Sequence, residues 1–115
     1  MNSLPQCGFM YFSFLDPPEV HINVQVLRVP IGERVSINCT VVGSPTSTIL
    51  WRRNEEILFD GGRHKIHKAD FGTVSRSRLD ILALETTDNY ATYSCEAENS
   101  VGASADKVDI RVLGK

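Results

Sequence analysis

The 115-residue chain has no apolar run near the ~20 residues that a membrane helix needs, so no part of it is read as inserting directly into a bilayer. Charge of either sign is scarcely in excess. Twelve Lys and Arg stand against fourteen Asp and Glu, for a net charge of −2, which argues against nucleic acid as a partner. Enzyme signatures are missing: there is no G-x-S-x-G elbow, no Gly-rich phosphate loop, and no inward pair of acids that burial could tune for acid–base work. The chain is accordingly read as non-enzymatic, with no cofactor. Lys and Arg are absent from Met1 to Gln6, so the short apolar run that follows (Phe9, Met10, Tyr11, Phe12, Phe14, Leu15) lacks the basic flank of a secretory signal. Residues 1–17 are expected to be a linker or appended remnant, open to disorder, with Pro17-Pro18 as the boundary of one domain over 18–115.

What is present is the composition of an ordinary soluble domain, 42% apolar and 23% charged, in a chain long enough for one core. From Glu19 onward apolar residues do not recur at helical spacing; they alternate in short runs broken by turn residues, which predicts strands. Val35, Ile37 and Cys39 share one phase of a strand over about Arg34 to Val42. Ile49 and Trp51 share one in Thr48 to Arg53. A short Ile57-Leu58-Phe59 segment follows, then a basic strand from Arg63 to Lys68. Asp70-Phe71-Gly72 is expected to turn the chain into a strand of about Thr73 to Leu82, with Leu79 and Ile81 inward. Tyr93, Cys95 and Ala97 alternate with polar residues, and a hairpin at Asn99 to Gly102 leads to a last strand with Val108, Ile110 and Val112 inward. That many short strands predict an all-β fold of two packed antiparallel sheets.

Three further features narrow the reading. Trp51 lies twelve residues after Cys39, and both it and Cys95 fall on inward phases. Asn89-Tyr90-Ala91-Thr92-Tyr93-Ser94-Cys95 fits the pattern D-x-G/A-x-Y-x-C except at its first residue, and Ala97-Glu98-Asn99-Ser100-Val101-Gly102 fits A-x-N-x-x-G. With Leu79-Asp80-Ile81-Leu82-Ala83-Leu84 leading into a turn, the stretch from Pro18 to Leu113 resembles the immunoglobulin superfamily, and most closely its intermediate, or I-type, set. The resemblance implies an immunoglobulin-like β-sandwich with one inter-sheet disulfide, Cys39 to Cys95, packed on Trp51. It also implies a tyrosine corner at Tyr93, whose hydroxyl would satisfy backbone, and an ion pair between Arg63 and an acid at the position that Asn89 occupies. Asp88 would serve only if the turn shifts by one residue. On the residues alone the two cysteines could be half of a metal site, but no second pair of Cys or His lies at ligand spacing, and the inward phases suit a disulfide better. His21, His64 and His67 are scattered over strands and are read as surface residues, not ligands.

Candidate surface sites follow from alternation. Asn38-Cys39-Thr40 is an N-x-T sequon with Asn38 outward, a possible glycosylation site. Arg63, Lys65 and His67 share an outward phase, with Arg76 and Arg78 outward on the strand expected to pair with theirs. That face is either solvated, partly balanced by Asp80, or a patch for acidic partners such as a sulfated glycan or acidic protein surface. Arg52 and Glu96 are expected to form an exposed ion pair. Cys7 is the odd thiol, free or bridging elsewhere. The resemblance implies a recognition or spacer module of a larger extracellular adhesion, receptor or matrix protein, which meets a protein partner or a neighbouring domain. The alternative is a structural module of an intracellular muscle or cytoskeletal protein.

Overall fold

The structure, a computed structural model, describes residues 15–114. The expectations for Cys7 and the apolar run before Leu15 lie outside the described residues. Nine strands run through the described part: β1 (Asp16–Ile22), β2 (Val26–Pro30), β3 (Val35–Ser44), β4 (Thr48–Arg53), β5 (Glu56–Ile57), β6 (His64–Phe71), β7 (Val74–Ile81), β8 (Thr92–Glu98) and β9 (Ala103–Leu113). They form two sheets, one ordered β1-β3-β7-β6 and the other β2-β9-β8-β4-β5.

Strand β3 shows why these residues form a sandwich. Val35, Ile37, Cys39 and Val41 are buried, while Ser36 and Asn38 between them and Val42 beyond are exposed, so one face of the strand needs a partner layer and the other stays wet. Its neighbour β7 follows the same period in register with it, Ile37 against Leu79 and Val35 against Ile81. The opposite sheet supplies Trp51, Tyr93, Cys95, Val108 and Ile110, all essentially without solvent exposure. Cys39 and Cys95 are joined between the layers, with their Cα atoms 6.5 Å apart. Trp51 stands beside Cys95 in the β4–β8 register and is 1% exposed.

Four details differ from the strand-by-strand expectation. β1 begins at Asp16, which faces Ser44, so the strand starts before the boundary drawn at Pro17-Pro18. The register slips between Asp16 and Glu19, where two prolines lack the N–H that a regular ladder requires. β6 runs on through Asp70 and Phe71 and turns at Gly72, whose φ of 72° suits a residue without a Cβ. β5 is only two residues long. Finally, one pairing is parallel: the chain leaves the first sheet after Ile22, crosses to the second without reversing, and lays β2 alongside β9 in the same direction.

Candidate functional site

At one end of the sandwich a buried acid organises the side chains. Asp88 lies in a single 3-10 turn, Thr86–Asp88, with no solvent exposure. Its carboxylate accepts from Arg63 Nη1 at 3.0 Å and Nη2 at 3.3 Å, from Arg53 Nη2 at 3.1 Å, from the Glu85 amide at 2.9 Å and from the Tyr93 hydroxyl at 3.3 Å. Burial alone would raise this carboxyl; the bonds from Arg63, the Glu85 amide and Arg53 outweigh it and hold the group below the usual carboxylate range. Arg63 is pushed up chiefly by its hydrogen bond to Asp88. Burial, then the nearby Asp88 charge, push the Tyr93 phenol up to about 12. His64 Nε2 lies 3.3 Å from that phenol oxygen, and burial and the Arg63 charge lower the imidazole.

One expectation is corrected here. The Tyr93 hydroxyl donates to the Asp88 carboxylate and not to backbone, because the 3-10 turn Thr86–Asp88 brings that buried acid within 3.3 Å of it. The acid that pairs with Arg63 is Asp88, the alternative that the sequence offered beside the uncharged Asn89. Tyr90 adopts φ 66°, and Asn89 is left to accept from the Val112 amide at 2.9 Å.

On the outer face of the β1-β3-β7-β6 sheet, Lys65, His67, Arg76 and Arg78 are exposed. Arg63 is not among them. It precedes β6, in the turn, where strand alternation does not apply, and its guanidinium is turned to Asp88 and to Glu85 at 3.4 Å. Asp80, only 1% exposed although on the outward phase of β7, accepts from Ser36 Oγ at 2.6 Å and Arg78 Nε at 3.1 Å. Arg34 Nη2 and His67 Nε2 each lie 3.3 Å away. Burial would raise this carboxyl, but the Ser36, Arg78 and Arg34 bonds keep it low. Arg78 is thus engaged with a fixed anion, and Lys65 and Arg76 are the cations of the candidate patch left without a carboxylate partner among the described residues; Arg76 lies 5.8 Å from the Phe71 ring centroid. Asn38 is exposed on β3, opposite Arg78 in register.

The other sheet presents a different surface. Leu50, Glu96 and Ala105 lie side by side across β4, β8 and β9, in a shallow hollow of about 570 Å³ bordered by Glu98 and Ala103. Arg52 Nε donates to Glu96 at 2.7 Å, as the alternation predicts.

The stretch that holds the inter-sheet disulfide, Trp51 and the Arg63–Asp88–Tyr93 junction is matched by a family model: residues 18–112 fit the immunoglobulin I-set domain. The chain belongs to the immunoglobulin I-set family. This I-set domain is 32% identical over 96 residues to human Brother of CDO, which covers 84% of the chain and 8% of that protein. It is 34% identical over 85 residues to human cell adhesion molecule DSCAM, covering 72% of the chain and 4% of the relative. Against Drosophila melanogaster titin it is 29% identical over 103 residues, 86% of the chain and less than 1% of that protein. The chain therefore spans a small part of each curated relative. A solved complex of Dpr2 Ig1-Ig2 with DIP-Theta Ig1-Ig3 superposes with a TM-score of 0.81 at 23% identity, over 86% of this chain and 33% of the other.

Of the residues singled out by sequence, the I-set domain brings Cys39, Cys95, Trp51, Leu79 and Tyr93 into one core and keeps Lys65, Arg76, Arg78 and Asn38 on one outer face. Sequence reasoning missed Arg53 as a second cation on Asp88, and Arg34 as a cation on Asp80. Neither leaves a local signal, since each partner is more than thirty residues away along the chain.

Proposed function

We propose that this domain is a non-enzymatic protein-recognition module of a larger extracellular adhesion, receptor or matrix protein, and that its β9-β8-β4 face receives the partner. The observation that carries this reading is the division of polar groups. The buried carboxylates Asp80 and Asp88 and the half-buried His64, the groups whose burial could tune them for chemistry, are all engaged inside the domain. The β9-β8-β4 face instead offers Leu50 and Ala105, an apolar hollow bordered by Glu98 and by the Glu96–Arg52 ion pair, that suits a protein surface with an apolar tip and a polar rim. The likeness to a cell adhesion molecule and the Dpr2–DIP-Theta complex are in keeping with it.

The titin likeness favours the second reading, an intracellular spacer in which Cys39 and Cys95 would be thiols. The experiment has two arms. Peptide mass analysis of protein from its native tissue, with thiols blocked at lysis, separates the compartments: a Cys39–Cys95 linkage supports the extracellular reading, and two blocked thiols overturn it. A multimer of the purified domain applied to intact and protease-shaved cells tests the face. Staining that needs surface protein and is lost in Ala105→Arg, with the unfolding midpoint unchanged, supports it; equal staining by the variant, or no staining, overturns it.

A further inference from the structure

The sequon at Asn38 is absorbed by neither the core nor the β9-β8-β4 face, and its geometry is unusual. Asn38 and Thr40 share the outward phase of β3, while Cys39 between them points into the core and is bonded to Cys95. On one flank Asn38 faces Arg78 of β7. On the other, the pairing of β1 with β3 ends at Ile22 against Cys39, so no residue of β1 stands opposite Asn38. The side chain is exposed, in the open part of the sheet face.

We infer that Asn38 carries an N-linked glycan, and that it is added before the Cys39–Cys95 bond closes. The inference rests on passage through the secretory pathway, as the extracellular reading requires. In the reaction, Asn38 Nδ2 forms a bond to the anomeric carbon of a lipid-pyrophosphate-linked oligosaccharide. The anomeric C–O bond breaks, the lipid pyrophosphate departs with the electron pair, and Nδ2 gives up one of its two protons. A transferase that selects Asn-x-Thr must hold the carboxamide and the Thr40 hydroxyl together in its own site. In the finished fold they belong to an interior strand with a ladder to β7 along its length, and the residue between them is covalently pinned to the other sheet. Drawing this segment out of the sheet would break both, so transfer to the open chain competes with closure of the disulfide.

The consequence for recognition is a division of faces. A glycan at Asn38 stands beside Arg78, with Arg76 the next outward residue on β7, and screens that sheet, while the β9-β8-β4 face stays bare.

The test is secretion of the full chain from mammalian cells behind a cleavable leader, which fixes the compartment whatever the natural location and so separates this inference from the proposed function. Parent, Asn38→Gln, Thr40→Ala and Cys95→Ser proteins are compared by intact mass and by the conversion of Asn38 to Asp that enzymatic glycan release leaves. The expected result is a glycan mass on the parent that is lost in Asn38→Gln and Thr40→Ala, and a higher occupied fraction in Cys95→Ser. Thr40→Ala keeps Asn38 itself, so a folding defect in Asn38→Gln leaves the result interpretable. Unmodified Asn38 in both the parent and Cys95→Ser overturns the site. Occupancy that is no higher in Cys95→Ser than in the parent overturns the competition.

Discussion

Arg63 meets Asp88 at two points, each guanidinium Nη lying 3.0 or 3.3 Å from a different carboxylate oxygen, and so joins the turn before β6 to the turn before β8. Replacing Asp88 with Ala leaves Arg63, Arg53 and the Tyr93 hydroxyl without their common acceptor. The expected cost is about 3 kcal/mol, toward the lower end for breaking a buried pair because both arginines retain some access to water. Arg63→Ala should cost less, since Arg53 and the Glu85 amide still serve the carboxylate. Urea unfolding of the three proteins checks the order; an Arg63→Ala loss equal to or above that of Asp88→Ala would refute it.

Trp51 Nε1 donates to Ser77 Oγ at 2.9 Å, and Ser77 in turn donates to the His67 carbonyl at 2.8 Å, a chain of bonds that crosses from one sheet to the other. Ser77→Ala should strand the buried indole N–H at a cost of about 1–3 kcal/mol. Trp51→Ala, which also empties the core beside the disulfide, should cost about 3–5 kcal/mol. Equilibrium unfolding followed by far-ultraviolet dichroism measures both, with Trp51→Ala the larger.

Stability should decline in acid in two stages. His64 has a lowered pKa in the fold, so the unfolded chain takes up its proton first, from about pH 6.5 downward, and stability is lost as pH falls through the folded value. Asp80 and Asp88 are likewise lowered. Their contribution is present above about pH 3.9, the unfolded value, and is lost as pH falls through the folded ones. At the alkaline end the sign reverses. Tyr93 titrates at about 12 in the fold against about 10 unfolded, so its contribution is present below pH 10 and is lost as pH rises through 12. Urea midpoints from pH 3 to pH 11 test the profile, and His64→Gln should remove the step that begins near neutrality.

Heparin retention is expected to be weak. Arg78 is held by Asp80, Arg63 is withdrawn to Asp88, and the whole domain is slightly acidic, which leaves Lys65 and Arg76 as a small basic source screened within about 8–10 Å at ordinary salt. Parent protein and an Arg76→Ser/Arg78→Ser variant should elute from immobilised heparin alike at low salt. Tight, salt-sensitive retention that the variant loses would instead establish the acidic-partner patch.

The buried set was legible wherever a strand is half wet. A period of two is a local signal, and Val35, Ile37, Cys39, Leu79, Ile81, Tyr93, Cys95, Val108 and Ile110, all on predicted inward phases, are all buried. What alternation could not convey is where a strand stops and what reaches it from afar. Alternation puts Arg63 on the outward phase of β6, but it lies in the preceding turn. Asp80 is outward in phase yet covered, because Arg34 and His67 reach it from distant parts of the chain and join Arg78, two residues away on the same strand. The parallel β2–β9 pair likewise depends on a crossing between sheets that no short-range pattern announces.

The Cys39–Cys95 link also has a mechanical meaning. Asp16 enters beside Ser44 at one end of the sandwich, and Leu113 leaves beside Pro30 at the other, so tension applied to the two termini pulls along the strands. Were the sheets to give way, only the flanking segments could pay out. The intervening stretch, a separation of 56 residues, stays looped behind the covalent link, which withholds roughly 190 Å of extension at about 3.4 Å per residue. Reduction of that one bond would lengthen the tether without altering a single peptide.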